Sequence, residues 1–431
     1  MHCRARQSFR GRKIGHIHDM DHYLLRRMRD VGALWCALCR GLGRLAVMTG
    51  FAAYQREIFE LDAAGETPPL TTDLAALEEA VRAEVPADSY NYVAGGAGTG
   101  STVRANRSAF ERWRIVPRVL RNADRRDLRA TVLGMEMPAP VLLAPVGVQS
   151  ILHPDAELAS ARAAAELGLP LVLSSSSSRS IEEVAAANGD APRWMQLYWS
   201  GDREICASIL DRGKRAGFST LVVTVDTWIR GWRPHEMDRR YSPSRQGVDM
   251  AIPFSDPVFR SRLARPPEED PTAAIQEWQR MPTGASKSWE QFAFLRDHWS
   301  GPIVVKGILH PDDARRAVGC GADGIVVSNH GGRQVDGAVA ALDMLPEVVD
   351  AVGAEVDVLF DSGIRTGADV IKALALGAKA VLVGRPCAYG LAHAGEAGVR
   401  HVLRSLLADL DITLGLCGYR SPAELGRAAL R

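Results

Sequence analysis

PIVVKGILHPDDARRAVGCGADGIVVSNHG, residues 302–331, is the stretch on which the fold turns. Its opening PIVVKGI is an apolar, β-branched run of the kind that forms a strand buried on both faces. DDARRAVGCG follows with helical spacing and closes on glycine, the usual helix stop. GIVV is then a second buried strand that opens directly into the polar SNHG. Working outward, the same unit recurs. PVLLAP (140–145), PLVLSS (170–175), RWMQLY (193–198) and TLVVTVD (220–226) precede it, and DVLFDSG (357–363) and AVLVGRP (380–386) follow it. Amphipathic stretches such as DAELASARAAAELG, REICASILDRGKRAG and GADVIKALALG lie between. Eight strand signals alternating with helices predict an α/β fold, a closed (β/α)8 TIM barrel rather than an open doubly wound sheet.

Polar residues gather at the C-terminal ends of five successive strands: Gln196 and Tyr198, Thr224 and Asp226, Lys306, Ser328 to His330, and Asp361 to Gly363. In such a barrel that end carries the chemistry. One gap breaks the rhythm, with about seventy-five residues between the fourth and fifth strands, and a connection that long in a compact domain is usually functional. Its polar, Pro-rich part, about 230–288, is predicted to be a lid over the barrel mouth. Residues 51–139 are predicted to form an N-terminal helical cap, so the barrel domain is expected to run from 51 to 431.

Composition narrows the function. The chain is 46% hydrophobic and 24% charged, with a net charge of +1, so no broad field draws it to nucleic acid or to an acidic membrane. Seven scattered cysteines in a chain this large point to a reducing compartment, taken as the cytoplasm. Cys36 and Cys39 form a lone C-x-x-C pair with no second pair at zinc spacing, so no metal is expected. Residues 1–50 are rich in Arg and His, and their mildly apolar stretch from Val31 to Met48 is interrupted by Arg40 and Arg44, which makes it a poor membrane span. They read as a disordered or mis-started extension, with Met48 a candidate start that N-terminal mass spectrometry tests.

The loops after strands seven and eight, DSGIRTG and VGRP, have the glycines and arginines of a phosphate site. GGAGTGS (95–101) has dinucleotide-loop spacing but lacks the preceding strand and the βαβ context, so it is not read as one. In SNHGGRQVDG (328–337), His330 is placed to act as a base and Arg333 to grip a carboxylate. Asp226 is expected to face His330 and stabilise its charged form, and Lys306 to meet an anion at the mouth.

These strings resemble a known family. SNHGGRQVDG, VVKGIL (304–309), MQLYW (195–199), VTVDTW (223–228) and DSGIRTG (361–367) are similar to the motifs of the FMN-dependent 2-hydroxy-acid oxidases and dehydrogenases. DTWIRGWRP (226–234), HPDDARRAV (310–318) and YVAGGAG (92–98) most resemble its lactate 2-monooxygenase branch, from about Tyr54 to the C-terminus. The resemblance implies FMN, a lactate-like L-2-hydroxy acid and O2, with His330 as base and Asp226 as its partner. It implies that Arg233 and Arg333 bind the substrate carboxylate beside Tyr92 and Tyr198. Ser174, Gln196, Thr224, Lys306 and Ser328 match flavin contacts, and the backbone of Ala144, Pro145, Val146 and Gly147 would back the ring. Asp361, Ser362, Gly363, Ile364 and Arg365, with Gly384 and Arg385, match the ribityl-phosphate grip. A homo-tetramer or homo-octamer is also implied. Gly147 is shared with the monooxygenase branch, whereas Ser176, LSSSSSRS (173–180) and Arg230 depart from relatives and bear on the substrate. Release of keto acid and H2O2, or electron transfer to a quinone or protein, are the alternative outcomes.

Overall fold

The computed structural model describes residues 50–63, 70–199, 201–281 and 288–431. Cys36, Cys39 and Met48 therefore lie outside the described residues. Eight strands close a barrel: β1 (Val141–Leu143), β2 (Leu171–Leu173), β3 (Arg193–Leu197), β4 (Thr220–Thr224), β5 (Ile303–Ile308), β6 (Gly324–Val327), β7 (Asp357–Phe360) and β8 (Val381–Val383). Each pairs in parallel with its sequence neighbour, and β8 pairs with β1. All eight coincide with the apolar runs of the sequence.

The strand period of two divides the apolar residues between two cores. Leu142, Val172, Trp194, Val222, Val304, Val326, Leu359 and Leu382, one from each strand, fill the barrel interior. Their neighbours, such as Leu143, Leu173, Leu197, Val223 and Val305, face outward into the helix layer. A hairpin of Ala130–Val132 and Met135–Met137 adds Val132 and Met137 to the interior core. The Leu133 amide at its turn donates to Asp357 Oδ2 at the start of β7 (2.7 Å), so the hairpin closes the N-terminal end. The C-terminal end opens on a cavity.

The outer layer is α1 (Ala156–Glu166), α2 (Ile181–Asn188), α3 (Arg203–Arg215), α4 (Phe292–His298), α5 (Pro311–Gly319), α6 (Ala341–Val352), α7 (Gly367–Ala375) and α8 (Arg385–Leu416). Ser180 with Glu183 and Thr366 with Asp369 form capping boxes that start α2 and α7. Among the described residues four α-helices precede the barrel: Ala53–Ala63, Leu74–Glu84, Ala87–Ala94 and Ser101–Arg112. The first two pack on α8, and the last packs on α6 and on the turn that carries His330. The helix Ala87–Ala94 brings Tyr92 to the mouth.

The connection expected as one polar lid divides in two. Residues 227–249 reach the barrel mouth. Residues 251–280 pack outside on α3, where Arg212 donates to the Ile252 carbonyl (2.9 Å) and Phe259 is fully buried. Its prolines do not make it floppy: Pro234, Pro243, Pro257 and Pro271 each open a short helix, a position where the missing N–H costs nothing. Among the described residues no helix is long and apolar enough to cross a membrane.

Candidate active site

A cavity of about 560 Å³ opens at the C-terminal end of the barrel. Every residue assigned above to base, substrate or cofactor lines it, except Asp226, Gln196 and Ser328. Those three stand one layer behind. Asp226 Oδ1 lies 3.0 Å from His330 Nδ1, Ser328 Oγ accepts from Lys306 Nζ (2.9 Å), and Gln196 Nε2 donates to Thr224 Oγ1 (3.1 Å).

His330 sits on a strained turn. Its φ is 57°, and Gly331 and Gly332 follow at 64° and 77°. The left-handed region costs a residue with a side chain about 1–2 kcal/mol, so such a turn persists only where its surroundings over-determine it. Here they do. Ser362 Oγ accepts from the Gly331 amide (3.0 Å), the Ala97 amide donates to the Gly332 carbonyl (2.9 Å), and Arg385 donates to the Gly331 carbonyl (2.9 Å). Asn106 and Asn329 exchange side-chain hydrogen bonds of 2.8 and 2.7 Å beneath it. Burial works to raise the Asp226 carboxyl, but the adjacent His330 and Lys306 outweigh it and hold the group below the usual carboxylate range. With Nδ1 facing Asp226, the other ring nitrogen of His330 is left for the cavity.

The glycine-rich string 95–101 serves the same turn. Asp336 accepts from the amides of Thr99 (2.6 Å) and Ser101 (2.7 Å) and from Thr99 Oγ1 (2.8 Å). A Cβ on Gly98 would lie 2.4 Å from Asp336 Oδ2. The loop amides therefore cradle a side-chain carboxylate, which explains glycine spacing that looks nucleotide-like.

Two arginines reach the cavity from different segments. Arg233, at the start of the helix Pro234–Asp238, donates to the Arg333 carbonyl (3.0 Å) and to Gln334 Oε1 (2.9 Å). Arg333 donates to the carbonyls of Tyr92 and Gly95, and its guanidinium lies 5.1 Å from the centre of the Tyr92 ring. Both bind one oxygen of the buried Glu236, at 3.2 and 3.1 Å. Burial, reinforced by Arg333, lowers Arg233 to about 10, so its guanidinium stays charged at neutral pH, and burial lowers Arg333 as well. Tyr198 is pushed upward by burial and by Asp226 and remains a neutral phenol. Glu236, Gln334, Asp336 and Asn106 escaped the sequence reading. Gln334 and Asp336 lie within SNHGGRQVDG, which was the available signal; nothing marks Glu236 or Asn106.

The cavity fits a flat, anionic cofactor. Lys306 is buried, and burial alone would lower its pKa; Asp361, 2.8 Å away, and Asp226 more than reverse that and raise it. Asp361 and Ser328 take two of the three ammonium protons, leaving one donor for the cavity. Residues 144–147 form a wall at the end of β1. A Cβ on Gly147 would lie 2.6 Å from the Ser176 carbonyl, so glycine there reflects the closeness of the β2 loop. At the other end Gly363, Arg365, Gly384 and Arg385 line the cavity at the N-terminus of α8, which has no acidic residue in its first turn and whose amides favour an anion. Arg385 also stitches the site together through the carbonyls of Val93 (2.9 Å), Gly331 (2.9 Å) and Gly95 (3.0 Å), leaving two of its five N–H groups.

Comparison with known proteins agrees with this geometry. The family model for FMN-dependent dehydrogenase matches residues 81–431. The chain is 49% identical over 385 residues to the FMN-dependent alpha-hydroxy acid dehydrogenase qulF of Penicillium citrinum, covering 88% of this chain and 96% of that protein. It is 41% identical over 353 residues to the L-lactate oxidase of Lysinibacillus sphaericus, covering 82% and 91%. A crystal structure of mandelate oxidase superposes with a TM-score of 0.74 at 40% identity, over 84% of this chain and 98% of that one. A parallel eight-stranded barrel, an imidazole and two guanidiniums at its mouth, and relatives this similar over most of their length make the chain a member of the FMN-dependent dehydrogenase family, a flavoprotein oxidoreductase acting on 2-hydroxy acids.

Proposed function

We propose that the chain oxidises a lactate-like L-2-hydroxy acid with O2 and holds the keto acid long enough to release the decarboxylated acid, CO2 and water, as lactate 2-monooxygenase does. The observation that carries the reading is the convergence of His330, paired to Asp226 at 3.0 Å, with Arg233 and Arg333 on one cavity. Arg233 and Arg333 clamp the substrate carboxylate, with Tyr92 and Tyr198 on the substrate side. The free ring nitrogen of His330 takes the proton of the reacting carbon or its hydroxyl, and Asp226 stabilises the imidazolium that results. Lys306, Thr224 and Ser174 would contact the flavin ring, with Gln196 and Ser328 holding Thr224 and Lys306 in place, and residues 361–365 with Gly384 and Arg385 would hold the phosphate. FMN, when bound there, supplies a two-electron acceptor that O2 reoxidises. Clamping from the segment 227–249 favours retention of the keto acid, because Arg233 belongs to that segment and shields the product from solvent.

Lactate turnover by the FMN-loaded protein tests the reading. Acetate and CO2 in step with O2 uptake are expected. Stoichiometric pyruvate and hydrogen peroxide overturn the monooxygenase outcome in favour of an oxidase. Flavin reduced by substrate but inert to O2 points to a quinone or protein acceptor, the dehydrogenase alternative. Ser176, Trp228 and Ile229 bound the side-chain end of the cavity, so the substrate panel should extend to longer and aromatic acids. A homo-tetramer or homo-octamer in the cytoplasm belongs to the same proposal; sedimentation and cell fractionation test it.

A further inference from the structure

We infer that Glu157, buried behind the barrel mouth, is a positioning residue that locks the β1 loop (144–155) to the β2 loop (174–180) and so fixes the gap between Gly147 and Ser176 at the wall of the cofactor cavity. The inference rests on the reading of residues 144–147 as that wall. β1 and β2 pair in register only at Leu143 and Leu171, so the ladder does not carry on into their loops. Both loops line the cavity, one through Ala144 to Gly147 and the other through Ser174 and Ser176. Glu157 stands in the first turn of α1 and is 1% exposed. A single oxygen, Oε1, accepts from the Ser178 amide (3.0 Å) and from the Gln149 amide (3.2 Å), one on each loop. Oε2 is buried and has no hydrogen-bond partner among the described residues. Burial pushes the Glu157 carboxyl up, and the amides of Ser178 and Gln149 do not offset it. An accepting oxygen, more than a charge, is therefore what the bridge needs.

The bridge sits where the backbone is strained. Val148 has a φ of 52°, in the left-handed region that a β-branched residue rarely enters, and Ala156, just before Glu157, has 49°. Such a turn persists only where its surroundings over-determine it. The Val148 amide donates to the Ser176 carbonyl (2.9 Å), and the next amide, Gln149, is the one taken by Glu157. Gln149 carries the restraint to the wall itself. Its Nε2 donates to the Val146 carbonyl (2.9 Å), and its Oε1 accepts from Ser160 Oγ on α1 (2.7 Å). The Ser150 amide adds a further tie to Ser178 Oγ (3.2 Å). The gap that results has no slack: a Cβ on Gly147 would lie 2.6 Å from the Ser176 carbonyl oxygen and 3.1 Å from Ser174 Oγ. The alternative is that Glu157 only starts α1. That role predicts a loss of stability on substitution but no energetic coupling to Gly147.

A double-mutant cycle between Glu157 and Gly147 is the test, read as the affinity of the full-length apoprotein for FMN by quenching of flavin fluorescence. Gly147→Ala alone should weaken FMN binding about tenfold, because the new methyl must displace either the β2 loop or the ring. Glu157→Ala lets the β2 loop yield, so in that background Gly147→Ala should cost at least about threefold less. Additive effects refute the lock. Glu157→Gln keeps an accepting oxygen and should retain the full cost of Gly147→Ala; if it relieves that cost as Glu157→Ala does, the bridge is not the cause. Should Glu157→Ala fail to fold, Glu157→Asp, one methylene short of the two amides, takes its place in the cycle. In the wild-type apoprotein the Gln149 and Ser178 amides should exchange slowly with solvent deuterium, and exchange as fast as in an unfolded peptide overturns the inference without any variant. Gly147→Ala with unchanged FMN affinity instead sinks the reading of residues 144–147 as the wall, and the inference with it.

Discussion

Replacing Asp226 by Asn tests the centre of the proposed chemistry. The variant keeps the volume and removes the charge that faces His330 at 3.0 Å. The two side chains are 19% and 12% exposed, so bulk water screens the pair poorly. With charge centres about 4 Å apart and an effective dielectric near 20, the imidazolium formed as the proton moves loses about 4 kcal/mol of stabilisation. At 1.36 kcal/mol per decade, flavin reduction should slow about a thousandfold. The loss should fall on the reduction step, because the clamp arginines do not touch Asp226. The assay is anaerobic stopped-flow bleaching of the flavin over a range of lactate concentrations. A reduction rate lowered by less than about tenfold would show that Asp226 does not stabilise charge on His330.

Three further outcomes follow from the same geometry. Lys306→Met leaves Asp361 buried without its ammonium partner, which should destabilise the apoprotein by about 3–5 kcal/mol in urea unfolding; unchanged stability would mean the pair is not buried as described. Arg333→Lys loses the planar fork that reaches Tyr92, Gly95 and Glu236, and KM for lactate should rise roughly ten- to a hundredfold, the equivalent of about 1.5–3 kcal/mol, while an unchanged KM removes Arg333 from the clamp. Because the fold holds Asp226 below its ordinary range, its charge adds stability above about pH 3.9 that is lost as pH falls through the lowered folded value. The Tm difference between wild type and Asp226→Asn should therefore be widest near neutral pH and close below pH 4, and a difference constant down to pH 3 contradicts the assignment.

The barrel was legible in the sequence because its information is local. A strand buried on both faces must be continuously apolar over a few residues, and a parallel sheet needs a helix between strands, so eight such units leave little choice of topology. Since all eight strands run the same way, their polar C-terminal residues had to meet at one mouth. That is why His330, Lys306 and Asp361 could be assigned to one site before any distance was known. Tertiary structure alone decided the contacts that cross between loops. Glu236 became the shared partner of Arg233 and Arg333 only when the segment 227–249 folded over the turn at His330. Asp336 entered the glycine loop 95–101, and Arg385 was drawn to the carbonyls of Val93, Gly95 and Gly331. The Pro-rich connection split into a part at the mouth and a part on α3 because Pro257 and Pro271 open short helices that bury Phe259 and Ala274. Periodicity records which way a residue faces its own element. It carries no record of which distant carboxylate or carbonyl will be waiting there, because that depends on how loops pack once the barrel has brought their ends together.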